Sequence, residues 1–296
     1  WRVDPALNDL PRWTGSLVRT RGSMVEIGGY PMEGPLSPAR VSELEPCANF
    51  TMDDGTNVYF FPSEGYVEPR EAVAQMQISA RSLGVEFKAN HTVFGLLRNG
   101  HGHIVGVQFQ NETGCSEELF DVVVVAAGTG AASETLGGLP LTSSPGRIAF
   151  AAPSKKKGRS LRRLLVDTVA QSHVLQRHDG TVVAGGGALQ VGGNNCGAEK
   201  TSHLPGRGAA LIKAAQKLAP AVLTGAAYLE SVDAVRPMPK DGFPVVGFLE
   251  PGLYSVVSHS GMTLAPILGG LAAIELTTGI ELEILLHYRP SRFKSS

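Results

Sequence analysis

The run Arg236-Pro237-Met238-Pro239-Lys240-Asp241-Gly242-Phe243-Pro244 holds the groups best suited to chemistry, together with the apolar segment Leu253–Val257 and His259-Ser260-Gly261-Met262-Thr263-Leu264-Ala265-Pro266 that follow it. Arg236 precedes a proline, which forces an extended backbone at the arginine and lets its guanidinium present a two-point fork to a carboxylate. Ser260, Gly261, Met262 and Thr263 sit where a strand becomes a helix. Unpaired amides and the positive end of the helix dipole there face whatever lies beyond the strand. A fixed cation, a tight turn at Gly242, a buried strand and a glycine-marked helix start together make a site for an anionic, electron-accepting ring. The same residue types also make an interdomain salt bridge and an ordinary cap by Ser260 or Thr263, and the spacing leaves those alternatives open.

Further upstream, Val122-Val123-Val124-Val125 precedes Ala126-Ala127-Gly128. Four β-branched residues in a row read as a strand of a parallel sheet, buried on both faces. The three small residues let a ligand approach the backbone at the carboxyl edge of the sheet, or let a helix pack closely there. Gly128-Thr129-Gly130-Ala131-Ala132-Ser133 approaches a phosphate-binding glycine fingerprint, but its end departs from the pattern and Arg147–Ala152 supplies no acid for a ribose. A nicotinamide-dependent dehydrogenase using this loop is the alternative enzyme reading. A cofactor-less, non-enzymatic remnant is the third.

Composition narrows the partners. With 296 residues and 43% hydrophobic content the chain can build about two domains. Its 26 basic and 27 acidic residues give no overall field for nucleic acid or acidic membrane. The basic run Lys155-Lys156-Lys157-Gly158-Arg159, with Arg162 and Arg163, has no interleaved aromatics and reads as a solvated loop. Cys47, Cys115 and Cys196 are odd in number and widely spaced, which argues against a disulfide framework or a zinc site and favours a cytoplasmic or other reducing intracellular compartment. His101-Gly102-His103 lacks further ligands, so no metal is expected. No continuous apolar run approaches the ~20 residues of a membrane span. A small-molecule site is the expectation.

These groups need elements to hold them. Helices are expected at Pro38–Leu44, from Pro69 to Gly84, at about Arg207–Leu218 and from about Thr263, the last carrying Leu264, Ile267, Leu268, Leu271 and Ile274. Strands are expected from Ser16 to Ile27, at Asn57–Phe61 and at Val85–Phe87. A meander follows near Thr92–Leu97, Ile104–Phe109 and Glu117–Phe120, its first turn marked by Asn99-Gly100, and Asp179-Gly180 marks a second hairpin between Ser172–Arg177 and Thr181–Ala184.

Taken together, Leu44-Glu45-Pro46, Glu64-Gly65-Tyr66-Val67-Glu68-Pro69, Gly84-Val85, the meander, Val122–Gly128, Arg236–Pro244, His259–Pro266 and Tyr288-Arg289-Pro290-Ser291-Arg292-Phe293 resemble, in order and spacing, the D-amino-acid oxidase-like superfamily of FAD-dependent oxidoreductases. The resemblance implies a two-domain α/β flavoprotein. Residues 31–145 and 233–296 would form a partial, Rossmann-like FAD-binding domain with a β-meander, and residues 15–30 and 146–232 an antiparallel-sheet substrate domain. It implies that Val93 meets the adenine through its backbone, that Ala126, Ala127 and Gly128 line the dinucleotide, and that Gly261, Met262 and Thr263 lie beside the flavin. Gly242 and Pro244 would shape the turn near the ring, and Arg236 would hold the carboxylate of an amino acid or related amine. The absence of a cysteine in Arg236–Gly242 points to noncovalent FAD. The family opens with a strand, a glycine-rich loop and a helix. None precedes Trp1, so roughly 80–90 residues are expected to be absent, a length compatible with the ~30-residue fingerprint unit and its following connections.

Overall fold

A computed structural model describes residues 11–12, 15–24, 30–53, 55–152, 160–186 and 205–293. In chain order the elements are β1 (Pro11–Arg12), β2 (Ser16–Arg21), α1 (Pro38–Leu44), β3 (Thr56–Phe61), β4 (Tyr66–Val67), α2 (Pro69–Ser82), β5 (Thr92–Arg98), β6 (Ile104–Asn111), β7 (Gly114–Leu119) and β8 (Val123–Val125). There follow β9 (Leu141–Ala152), β10 (Leu164–Asp167), β11 (Ser172–Gln176), β12 (Val182–Gly186), α3 (Pro205–Leu218), α4 (Pro220–Leu223), β13 (Ala227–Pro239), β14 (Val245–Glu250), β15 (Leu253–Val257) and α5 (Gly261–Thr278). The Lys155–Arg159 run and Cys196 lie outside the described residues.

The chain divides into two compact units. One comprises residues 76–145 and 235–296; the other comprises the described residues up to 75 and residues 146–234. The mixed α/β fold class agrees with the sequence reading.

The second unit is built on a seven-stranded sheet in the order β13-β9-β12-β11-β10-β2-β3. Leu17, Leu165, Val174, Ala184 and Ala149 stand side by side across five strands by register. They form one buried face, covered by Val41 and Leu44 of α1, Leu211, Ile212 and Ala215 of α3 and Val222 of α4. Residues 31–75 cluster here rather than with the first domain, because β3 pairs along the whole of β2. The sheet is not wholly antiparallel: β2 and β10 run parallel. β2 ends at Arg21, before Gly22 at φ +70, and residues 25–27 of the expected strand lie outside the described residues.

Glu45 explains one of the motifs that carries the resemblance. The residue follows α1 and is fully buried. Its Oε1 accepts the Cys47 amide at 3.0 Å, and its Oε2 accepts the amides of Arg162 and Arg163 at 2.5 and 3.0 Å. One carboxylate thus ties the end of a helix to a segment 117 residues on. Glu45→Ala is expected to lower unfolding stability by about 3 kcal/mol, since three amides lose their acceptor. The urea midpoint checks this; an unmoved midpoint would mean that water replaces the carboxylate.

The first unit holds a three-stranded sheet, β14-β15-β8, and the β5-β6-β7 meander. Val125, Val245, Leu253 and Val257 bury one face of the sheet with Ile104 of the meander. Val246 and Tyr254 bury the other face with Leu268 and Ala272 of α5. β8 and β15 run parallel, as the valine run predicts, but Val124 is exposed, so β8 is not buried on both faces. The meander strands fall where expected, but the first turn spans Asn99–His103 and places Gly102, not Gly100, at φ +79. There the Asn99 side chain accepts the amides of His101 and His103, drawing the loop wider than a two-residue turn.

Two expectations fail in this unit, and the alternative phosphate-loop reading loses its helix. Val85–Phe87 forms no strand: among the described residues nothing lies alongside to complete a ladder, and Val85 and Phe87 are exposed. Gly128–Ala132 and Glu134–Leu136 form 3₁₀ turns instead of the helix that a phosphate fingerprint needs. Ile267 and Ile274 of α5 face outward while Leu264, Leu268 and Leu271 face the sheet, so the helix is apolar beyond its packed stripe. By length and composition α5 is also the one helix among the described residues long and apolar enough to cross a membrane. In this fold it is tied to the sheet by a buried ion pair, which takes up its Glu275.

That network joins four segments. Arg289 donates to both Glu275 oxygens, at 2.7 and 2.5 Å; Tyr254 and the Leu282 amide donate to the same carboxylate, each at 2.6 Å. Burial, the largest single influence, pushes the Glu275 carboxyl up. The hydrogen bonds from Arg289, Tyr254 and Leu282 outweigh it and bring the carboxyl down to about 2. Burial and the hydrogen bond to Glu275 push the Tyr254 phenol up.

Candidate active site

Strand direction assembles the site. β8 and β15 are parallel neighbours, paired Val123 with Leu253 through Val125 with Ser255, so their carboxyl ends open on one edge of the sheet. Ala126, Ala127 and Gly128 leave β8 at that edge, and Ser260, Gly261, Met262 and Thr263 follow β15 there. β14 is antiparallel to β15 and begins with Val245 opposite Val257, which brings the preceding turn with Gly242 to the same edge. Arg236 stands on β13, three residues before its end at Pro239. The carboxyl edge of a parallel pair is where ligands of α/β sheets bind.

The edge is built for close approach by an anion. α5 begins at Gly261, two residues earlier than the sequence suggested, and the Ser260 side chain makes no capping hydrogen bond. Its hydroxyl lies 3.1 Å from His259 Nδ1 instead. The first intrahelical bond of the turn is Leu264 N–H to Ser260 C=O. Among the described residues the amides of Gly261, Met262 and Thr263 have no partner, leaving donors and the helix dipole free for an acceptor. Gly128 sits at φ +56, and a β-carbon built on it or on Gly261 would meet nothing within 4 Å. Ala126 and Ala127 are exposed. Small residues, open backbone and unpaired amides on one edge fit an extended, negatively charged dinucleotide such as FAD.

Arg236 is half-buried, and among the described residues its side chain has no hydrogen-bonding or ion-pair partner. The turn after it is fixed. Gly242 takes φ +82 and donates its amide to Pro239 O, while the Asp241 side chain accepts the Phe243 amide at 3.1 Å. Val93 is apart from this group: it lies on β5 in the meander sheet, exposed, beside a bulge between Val93 and Gly95. Register alone does not bring it to the edge. A cavity of about 430 Å³ lined by Phe248, Glu275, Ile280, Leu286 and Arg289 lies at the opposite end of α5, about 27 Å along the helix.

Sequence reasoning missed two arginines. Arg289 and Arg292 both lie in the Tyr288–Phe293 motif, which carried resemblance but no assigned role. Arg289 holds Glu275, and Arg292 holds Asp241. The signal was a pair of arginines within a short aromatic and proline-marked segment, and a lone glutamate inside an apolar helix.

An edge of this kind, at the carboxyl ends of a parallel strand pair and beside a helix start, is where α/β folds bind dinucleotides. Residues 7–274 match the model of the FAD dependent oxidoreductase family, and the chain belongs to that family. FAD is the cofactor of that family. The bifunctional protein ThiO/ThiG of Nostoc sp. is 27% identical over 245 residues, covering 81% of this chain and 35% of that protein. The chain thus spans about a third of the length of the curated relatives it matches. L-proline dehydrogenase from P. horikoshii is similar in fold at a TM-score of 0.76 and 18% identity, over 96% of this chain and 77% of that one. Glycine oxidase from Geobacillus kaustophilus is similar at 0.71 and 18%, with the same coverage.

Proposed function

We propose that the protein oxidises the carbon next to the nitrogen of an amino acid or related amine bearing a carboxylate, by hydride transfer to FAD. One observation carries the reading: Arg236, half-buried and with no partner for its side chain among the described residues, stands close in sequence to a turn at the candidate edge. A guanidinium withdrawn from water needs an anion, and its planar fork suits a carboxylate. The fold shared with glycine oxidase and L-proline dehydrogenase supports the substrate class.

FAD supplies the two-electron acceptor when bound. The rest falls to this chain. Arg236 binds and aligns the substrate through its carboxylate, so that the reacting carbon is presented in one orientation. The free amides at the start of α5 supply fixed positive potential where negative charge develops. Gly128, Gly242 and Gly261 keep the backbone clear.

Anaerobic mixing tests this directly. Glycine or N-methylglycine is expected to bleach the visible flavin band of the loaded protein, and methylamine, which has no carboxylate, is expected not to. A protein with no flavin band that is stabilised thermally by a nicotinamide cofactor would overturn the proposal.

A further inference from the structure

Arg292 satisfies all of its N–H groups within one corner of the fold. Its Nε donates to Asp241 Oδ2 at 2.6 Å, and one terminal nitrogen donates to Asp241 Oδ1 at 3.0 Å and to the Phe243 carbonyl at 3.1 Å. The other terminal nitrogen donates to the carbonyls of Tyr288 at 2.8 Å and Arg289 at 3.1 Å. A guanidinium has five N–H donors, and each is used once. Half of the fork is anchored in the carboxyl-terminal turns, and the other half grips the connection between β13 and β14. Asp241 closes the grip by accepting the Phe243 amide, and the Phe243 ring rests 6.4 Å from that of Tyr288.

The gripped connection lies at one end of a stiff rod. Between it and Arg236 come only Pro237, Met238, Pro239 and Lys240. Two prolines fix two of the intervening φ angles, so a shift of the turn is carried to Arg236 instead of being absorbed. The opposite side of the rod is held by Thr142 Oγ1 on the Met238 carbonyl and by the Lys240 amide on Pro140 O.

We infer that Arg292 is a positioning residue for substrate binding: through Asp241 and Phe243 it fixes the turn that sets where the Arg236 guanidinium stands. The inference rests on the reading of Arg236 as the carboxylate anchor. Arg292→Lys keeps the charge and loses the fork; Asp241→Asn keeps the shape and loses the charge. In the flavin-loaded protein each is expected to raise the glycolate Kd and the KM for a carboxylated amine about tenfold, with kcat changed less than about twofold. The double variant is expected to be no worse than the single ones, because both remove the same contact.

Glycolate binding is read by calorimetry and thermal stability alongside it, with Arg236→Ala run in parallel. A lowered Tm with unchanged Kd and KM in both single variants would make Arg292 merely structural and overturn the inference, as would additive losses in the double variant. Weakened glycolate binding in Arg236→Ala, with none in Arg292→Lys or Asp241→Asn, overturns the positioning role alone. Unchanged binding in Arg236→Ala removes the anchor, and the inference falls with it.

Discussion

Arg236→Ala is expected to raise the KM for a carboxylate-bearing amine by at least about 30-fold, the equivalent of roughly 2 kcal/mol at the lower end of what truncating one partner of a buried charge pair costs. The loss is expected in KM more than in kcat, because a carboxylate anchor holds the ground state and the transition state alike. Arg236→Lys is expected to fall between the two, keeping attraction without the two-point fork. An amine lacking the carboxylate supplies the internal control: methylamine is expected to leave the flavin oxidised in the wild type and in Arg236→Ala alike. Steady-state kinetics on the carboxylate-bearing amine decide the matter, and an unchanged KM would remove Arg236 from the site.

Glu275→Gln is expected to be the most destabilising single change in the first unit, by about 3–5 kcal/mol, because it leaves the Arg289 guanidinium buried without its counter-charge. The amide also turns a donor toward groups that already donate. A fall in Tm on the order of 10 °C corresponds to that loss. The pH dependence has a definite sign. The Glu275 carboxyl lies at about 2 in the folded protein against an ordinary value of 4.5. Its contribution is therefore complete above about pH 4.5 and is lost as pH falls toward 2. Acid titration of unfolding stability is expected to show that loss in the wild type and a shallower one in Glu275→Gln. Parallel curves would show that the ion pair gives no net stability.

The sequence carried local structure well and partner choice poorly. Pro38 at the first turn placed α1, and four valines followed by small residues placed β8 and the open edge beyond it. Asp179-Gly180 placed a hairpin, with Gly180 at φ +88. These features are decided within a few residues. Val85–Phe87 has the composition of a strand, yet a strand exists only against a neighbour, and among the described residues there is none. The grouping of residues 31–75 was illegible for the same reason, since the pairing of β3 with β2 depends on two segments about 40 residues apart. The candidate site was legible as residue types at Arg236, Gly128 and Gly261. The two arginine staples were not, because Arg292 with Asp241 and Arg289 with Glu275 meet across 51 and 14 positions with no local pattern to announce them.

The parallel pairing of β8 with β15 has a consequence for the birth of the protein. Val123 and Leu253 touch strand to strand although 130 positions separate them, and most of the second unit is threaded between. Closing so long a loop delays contact formation. A nascent chain can therefore complete much of the inserted sheet while Ala126–Gly128 still waits. The candidate edge forms only when β15 and the start of α5 have left the ribosome.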